Sequence, residues 1–231
     1  MNNYDILLFD ADNTLFDFSA AERECFFELA PAFNIPAEQS VYEAYRKFNL
    51  ESWKDIEKGI LDKEFLLLRR YKRLFEFLNI HGDEKALNQA FLEKLAEKSI
   101  LFPYTQTLLN NLLAAKKRIF LITNGVASVQ YGRLNSSPVK NVFEKVFISE
   151  EIGASKPDKK FFDYVEANIP HFDKEKTIVI GDSLSSDIAG ANNAELDCIW
   201  YDPEFSQALP DGVCVNYIAR TLQEIERFLL Q

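Results

Sequence analysis

Ile6-Leu7-Leu8-Phe9-Asp10-Ala11-Asp12-Asn13-Thr14 is the stretch on which the reading of this chain turns. Four consecutive apolar residues ending in acid have the pattern of a parallel strand buried on both faces, whose carboxyl end opens into a site. Two aspartates at the end of such a strand are costly unless something there is served by negative charge. A hard cation with oxygen ligands, typically Mg2+, is the usual occupant of such a place. Taken alone, Asp12-Asn13 reads equally well as a turn after a strand. The rest of the chain decides, by offering partners at the ends of later strands.

With 231 residues the chain has material for one large domain or two smaller ones, each with a core. Hydrophobic residues make up 47% and charged residues 27%, the balance of a soluble globular protein. A net charge of -10 opposes a general grip on nucleic acid, which needs a basic surface. It leaves room for a small anionic substrate, because a metal and a lysine can govern the local field. Cys25, Cys198 and Cys214 are odd in number and lack metal-ligand spacing, so all three are expected as buried, reduced thiols. The first strand starts within a few residues of Met1 and no apolar run is long enough for a bilayer. A cytoplasmic protein with no membrane partner is the expectation.

After Thr14 the strand pattern stops until Arg118-Ile119-Phe120-Leu121-Ile122. A parallel crossover needs only about a dozen residues and one helix; here helix follows helix. Ala20 to Ala30 is helical up to Pro31, and Gln39 to Phe48 follows the Pro36 turn. Asp62 to Leu78 is amphipathic, with Phe65, Leu68, Tyr71, Leu74, Phe75 and Leu78 at helical spacing. Gly82 closes that helix, Asp83 caps the next, and Ala86 to Lys98 completes the set. Residues 17–97 thus read as an all-helical insertion with its own small core, set into a main body formed by residues 1–16 and 98–231. Phe16-Asp17-Phe18 and Ser99 to Pro103 would be its hinges. From Tyr104 the rhythm alternates, with helices expected at 104–115, 127–135, 158–168 and 185–194 and strands at 118–122, 145–148, 177–181 and 196–200. A short apolar, strand-like piece, Val213-Cys214-Val215, and a helix from Thr221 to Leu230 follow. The fold class is therefore α/β: a Rossmann-like parallel sheet with helices on both faces, which binds ligands beyond the carboxyl ends of its strands.

Those ends collect chemistry. They carry Asp10 and Asp12, then Thr123-Asn124-Gly125, then Lys156-Pro157-Asp158, then Gly181-Asp182-Ser183 with Asp187 a turn further on. This constellation resembles the haloacid dehalogenase superfamily, whose four motifs match in order: Asp10, Asp12 and Thr14; Thr123; Lys156; and Gly181, Asp182 and Asp187. The resemblance covers residues 4–14 and about 100–200, and the helical insertion sits where that superfamily places a cap.

Physical chemistry assigns roles compatible with the resemblance. Phosphoryl transfer needs positioning and charge neutralisation, and a carboxylate held in line can carry the group covalently. Asp10 is the expected nucleophile, and Asp12 the acid that protonates the leaving oxygen and then the base that activates water. A free aspartate titrates at about 3.9, so crowding and burial would have to raise Asp12. Lys156 offsets charge on nucleophile and phosphate, Thr123 donates to a phosphoryl oxygen, and Asn124 assists. Asp10, the Asp12 carbonyl and Asp182 would hold Mg2+, with Asp187 and Thr14 in support. Dehalogenase members lack an acid at the position of Asp12, because a halide leaves without a proton; its presence implies phosphate esters.

The stretch from Phe9 to Phe18, Ile122-Thr123-Asn124-Gly125 with Gln130 and Arg133-Leu134, and Ile148 to Gly153 running into Lys156-Pro157 resemble the noncanonical pyrimidine nucleotidases and related 5'-nucleotidases. Pro103-Tyr104-Thr105 departs from relatives that have glycine after the proline, which touches a hinge and not the chemistry. The branch implies a nucleoside 5'-monophosphate as substrate. A sugar-phosphate or phosphoglycolate phosphatase or a phosphomutase would use the same motifs, and a silent nucleotide- or metal-binding protein is the reading of another class. Oligomeric state is not legible.

Other residues have blander readings. His81 and His171 are turn or surface residues without ligand spacing. The stripe Phe65, Tyr71, Phe75 and Phe77 reads as bundle core, and Trp53 as packing near a helix junction. Arg69-Arg70 and Lys116-Lys117-Arg118 read as solvated helix faces or ends. Arg133 is left between partner of a nearby carboxylate and part of the site rim.

Overall fold

The computed structural model describes residues 4–57, 63–204 and 209–231. The chain divides into two compact units, Met1–Phe18 with Ser99–Gln231, and Ser19–Lys98.

The first unit is built on six strands: β1 (Ile6–Asp10), β2 (Arg118–Thr123), β3 (Lys145–Ile148), β4 (Thr177–Gly181), β5 (Asp197–Tyr201) and β6 (Tyr217–Ala219). Every adjacent pair is parallel, and their order is β3-β2-β1-β4-β5-β6. This is the expected Rossmann-like sheet. The central strand β1 is buried at every residue, which is why its sequence runs apolar without alternation. Alternate side chains still go to opposite faces. Leu7, Phe9, Ile119, Leu121, Ile178 and Ile180 share a cluster with leucines of α5 (Thr105–Ala114) and α10 (Leu222–Leu229). Ile6, Leu8, Phe120, Ile122 and Val179 join Phe161, Phe162 and Val165 of α8 (Lys159–Ala167) and Ala191 of α9 (Ala189–Asn193). Each fully buried Leu, Ile or Phe contributes about 1.5–3 kcal/mol, so the sheet is held from both sides. The strand order reverses between β1 and β4, and the crevice beyond their carboxyl ends is where such sheets bind ligands.

Three expectations need correction here. The last strand is Tyr217–Ala219, not the apolar piece at 213–215. The Asn192 amide takes both backbone groups of Cys214, donating to its carbonyl (2.9 Å) and accepting from its N–H (2.9 Å), so that piece has no ladder to join. Cys214 is consequently exposed, whereas Cys25 and Cys198 are buried as expected. The helix expected at 185–194 is a π-helical turn, Leu184–Ile188, followed by α9.

The second unit holds α1 (Phe18–Leu29) past its first residue, α2 (Gln39–Glu57), α3 (Lys63–Leu78) and α4 (Glu84–Glu97). Asp62, expected to begin α3, lies outside the described residues. Asp83 caps α4 as expected, accepting from the Lys85 and Ala86 N–H groups. Tyr45 stacks on Phe26 and Tyr71, with ring centres 5.2 and 5.8 Å apart. The buried stripe of α3 is Leu66, Leu67, Arg70, Tyr71, Leu74 and Phe75, while Phe65 and Phe77 are 59% and 60% exposed. Arg70 is thus a core residue and not part of a solvated face. Its guanidinium donates to Asn49 Oδ1 (2.6 Å) and Asn88 Oδ1 (3.0 Å) and lies 4.6 Å from the Tyr71 ring centre. These partners turn the face carrying Arg70 inward and leave Phe65 and Phe77 outside. Asn49 also donates to the buried Glu22 at 2.6 Å. Trp53 lies within α2, four residues before its end at Glu57, with the Lys63 amine 5.6 Å from its ring centre. Among the described residues no helix is long and apolar enough to cross a membrane.

Burial lifts the Glu22 carboxyl to about 7, against the pull of Arg70 and Arg46 and the hydrogen bonds from Tyr45 and Asn49. The folded chain therefore holds this proton more tightly than the unfolded chain, and Glu22 withdraws stability as pH rises from about 4.5 to about 7. Glu22→Gln keeps the acceptor oxygen but cannot ionise. Its melting temperature should gain on wild type across that window and run parallel outside it; a gap that does not change with pH would remove the assignment.

Candidate active site

The loop leaving β1 folds back on itself. The Leu15 and Phe16 N–H groups both donate to the Ala11 carbonyl, at 3.1 and 2.9 Å, and the Asn13 N–H donates to the Phe16 carbonyl at 2.8 Å. Asn13 takes the left-handed conformation (φ 61°) that this tight return needs, one asparagine tolerates better than most residues. Asp10 is thereby left at the strand end and Asp12 in the turn beyond it.

Lys156 enters from the loop between α7 (Ser149–Ile152) and α8 and is 1% exposed. Its ammonium has three protons and three acceptors: Asp10 Oδ1 (2.7 Å), Asp187 Oδ1 (2.6 Å) and the Ile122 carbonyl (3.1 Å). Burial opposes the charge on Lys156, but Asp10 and Asp187 more than offset it and hold the ammonium above the ordinary lysine range. Asn124 secures the backbone here, accepting from the Lys156 N–H (2.9 Å) and donating to the Lys156 carbonyl (2.8 Å). Both polar ends of the Asn124 amide are engaged with Lys156, a job its sequence position did not suggest.

Asp187 comes from the π-helical turn after β4, a wider turn of the kind that recurs at functional sites. Its Oδ2 accepts from the Ser183 N–H at 3.1 Å, so both of its oxygens have partners. Asp182, one residue past β4, is held through its carbonyl by the Trp200 indole N–H (2.9 Å), and Thr14 reaches its Oδ1 at 3.5 Å. Thr123 is buried and its Oγ1 accepts from the Gly125 N–H (3.0 Å), which leaves the hydroxyl proton to be donated elsewhere. Asp12 is gripped on both oxygens: Gln130 Nε2 donates to Oδ2 (2.7 Å) and Arg133 Nη2 to Oδ1. Arg133 is therefore the partner of a carboxylate. Gln130 and Trp200 were not singled out for roles from sequence, although Gln130 and Arg133 stand three residues apart on α6 (Ala127–Ser136), a spacing that shares a face.

Oxygens of Asp10, Asp182 and Asp187 lie within 4.8 Å of one another. Burial raises the Asp10 carboxyl to about 7 against the pull of Lys156, with Asp187 and Asp12 adding to the rise. Burial also raises Asp182 well above the carboxylate range, reinforced by Asp10 and Asp187 and opposed by Lys156. Carboxylates crowded at a buried spot with a single ammonium form a hard, oxygen-only donor set short of positive charge. A small divalent cation such as Mg2+ fits it.

With this geometry in view, the chain belongs to the haloacid dehalogenase-like hydrolases, whose family model matches residues 4–195. Among similar proteins are the pyrimidine 5'-nucleotidase PynA of Streptococcus pneumoniae, 38% identical over 93% of this chain and 92% of its own, and the pyrimidine 5'-nucleotidase YjjG of Escherichia coli, 31% identical over 98% of each. The crystal structure of the putative HAD-hydrolase YfnB of Bacillus subtilis, bound to magnesium and revealing interdomain movement, aligns with TM-score 0.92 at 33% identity, covering 98% of this chain and 99% of that one.

Gly181 is required by space. A Cβ there would lie 2.3 Å from Asp187 Cγ. Gly181→Ala should force Asp187 off Lys156 and Ser183, stripping its buried carboxylate of both partners, at a cost of about 3 kcal/mol in denaturant unfolding. Wild-type stability in that variant would show that Asp187 has room to shift.

Proposed function

We propose that this chain is a Mg2+-dependent phosphatase that hydrolyses nucleoside 5'-monophosphates, with pyrimidine nucleotides preferred, through an aspartyl-phosphate on Asp10. The observation that carries the chemistry is the buried Lys156 ammonium locking Asp10 at the sheet's switch point, with the independently held Asp12 two residues on. Support for the substrate class comes from the two pyrimidine 5'-nucleotidases, each similar over more than nine-tenths of its length.

In the first half-reaction an Asp10 oxygen forms a bond to phosphorus as the bond to the leaving oxygen breaks, and the Asp12 carboxyl gives that oxygen its proton. In the second, the Asp12 carboxylate takes a proton from water as the water oxygen bonds to phosphorus and the bond to Asp10 breaks. Inorganic phosphate leaves and both carboxyl groups return to their starting states. Lys156 fixes Asp10 against rotation and balances its charge, and Thr123 donates its free hydroxyl proton to a phosphoryl oxygen. Asp10, Asp182 and the Asp12 carbonyl are assigned to the cation, with Asp187 and Thr14 supporting Asp182 and Lys156. Mg2+ when bound would neutralise charge on the phosphoryl oxygens. All of these residues lie in the first compact unit, to which we assign catalysis.

Phosphate release with Mg2+ should favour uridine and cytidine 5'-monophosphates over purine nucleotides and small sugar phosphates. Asp10→Asn should lose roughly a thousandfold or more, and a chelator should abolish turnover until Mg2+ is restored. Preference for sugar phosphates would discard the nucleotidase assignment and keep the mechanism. Full activity of Asp10→Asn would discard the mechanism itself. Asp182→Asn, if Asp182 holds the cation, should need at least about tenfold more Mg2+ for half-maximal rate.

A further inference from the structure

Asp12 does not stand alone in its turn. Gln130 Nε2 donates to one of its oxygens, Arg133 Nη2 to the other, and the same Nη2 donates to Gln130 Oε1 at 2.8 Å, which closes a ring of three side chains. Gln130 is 3% and Arg133 1% exposed, whereas the Asp12 side chain is 25% exposed. The donors are dry and the group they grip is wet.

The surroundings are built around this grip. The Phe16 and Phe18 rings lie 5.1 and 5.8 Å from the Arg133 guanidinium and confine it. A Cβ on Gly125 would sit 2.0 Å from Gln130 Nε2, so glycine there leaves the amide its place. Arg133 Nε and Nη1 are buried with no hydrogen-bond partner among the described residues. Burying a guanidinium costs several kcal/mol, and donors left unmade add to that cost. A helix pinned to a loop solely for stability would be better served by apolar contacts. What the ring does provide is a single direction for a carboxylate that two fixed donors cannot let rotate.

We propose that Gln130 and Arg133 are positioning residues of the reaction, acting through Asp12 to aim it at the leaving oxygen. This rests on the acid–base reading of Asp12 given above. The proton passes from the Asp12 carboxyl to the leaving oxygen as the phosphorus–oxygen bond breaks. A leaving group that departs without a proton should therefore be indifferent to the aim.

The test compares kcat/KM, which covers leaving-group departure, for the best alkyl monoester of the nucleotide and sugar-phosphate panel and for p-nitrophenyl phosphate. Gln130→Met keeps the volume and removes both hydrogen bonds; Arg133→Met and Arg133→Lys follow, each with its melting temperature. If Arg133→Met does not fold, Gln130→Met carries the test. Gln130→Met and Arg133→Met should lower the alkyl value roughly 10- to 100-fold and the aryl value by less than about threefold, with Arg133→Lys recovering part of the loss. In an Asp12→Asn background the same changes should have no further effect on the alkyl ester, because a residue acting through Asp12 has nothing left to act on. Equal losses on both esters, or losses that add to Asp12→Asn, would overturn the proposal. Asp12→Asn that leaves the alkyl-to-aryl ratio unchanged would instead overturn the acid–base reading beneath it.

Discussion

One buried ammonium organises the first unit. Lys156 has given up water on all sides and recovers it through three acceptors from three places in the chain: Asp10 at the end of β1, the Ile122 carbonyl on β2 and Asp187 after β4. A lone charge in such a position would be prohibitively costly, and the carboxylates would be as costly without the lysine. Each group is tolerable only because the others are there. The interaction is satisfied only when the strands are paired in register, so the site and the sheet stand or fall together.

The geometry behind this convergence is the reversal of strand order between β1 and β4. Helices that follow strands on either side of that point leave the sheet in opposite directions, and backbone N–H groups and side chains face the gap between them. β1 delivers Asp10 and β4 delivers Asp182 directly into it. Asp187 returns to the same place because a π-helical turn and a glycine without Cβ give it room. Trp200 on β5 and Asn124 after β2 then hold the backbones of Asp182 and Lys156 from behind.

The helical unit solves a different problem with similar parts. Its core is aromatic, and at its centre Arg70 is held by Asn49 and Asn88 and packed on Tyr71. Arg70 and Arg133 are both buried guanidiniums lying against aromatic rings, yet their neighbours differ in kind: amides for Arg70, a carboxylate and an amide for Arg133. The first knits helices into a bundle, and the second faces a carboxylate that still meets solvent.

The sequence by itself determined the fold class, because unbroken apolar strands ending in acid and alternating with helices admit few arrangements other than a parallel sheet. It also singled out Asp10, Asp12, Thr123, Lys156, Asp182 and Asp187 by residue type and place, since charge at the end of a buried strand calls for explanation. What it could not determine was anything resting on contacts between distant segments. Arg70 read as part of a solvated face, and Arg133 as either a carboxylate's partner or the site rim, so the burial of Arg70 and the joint grip of Gln130 and Arg133 on Asp12 were decided only in three dimensions. The same holds for Cys214 and the last strand: apolarity suggested a strand at 213–215, but the Asn192 amide took its backbone groups and Tyr217–Ala219 paired with β5 instead. Hydrogen bonds are claimed by whichever partner the fold brings near, and that competition is decided by tertiary structure alone.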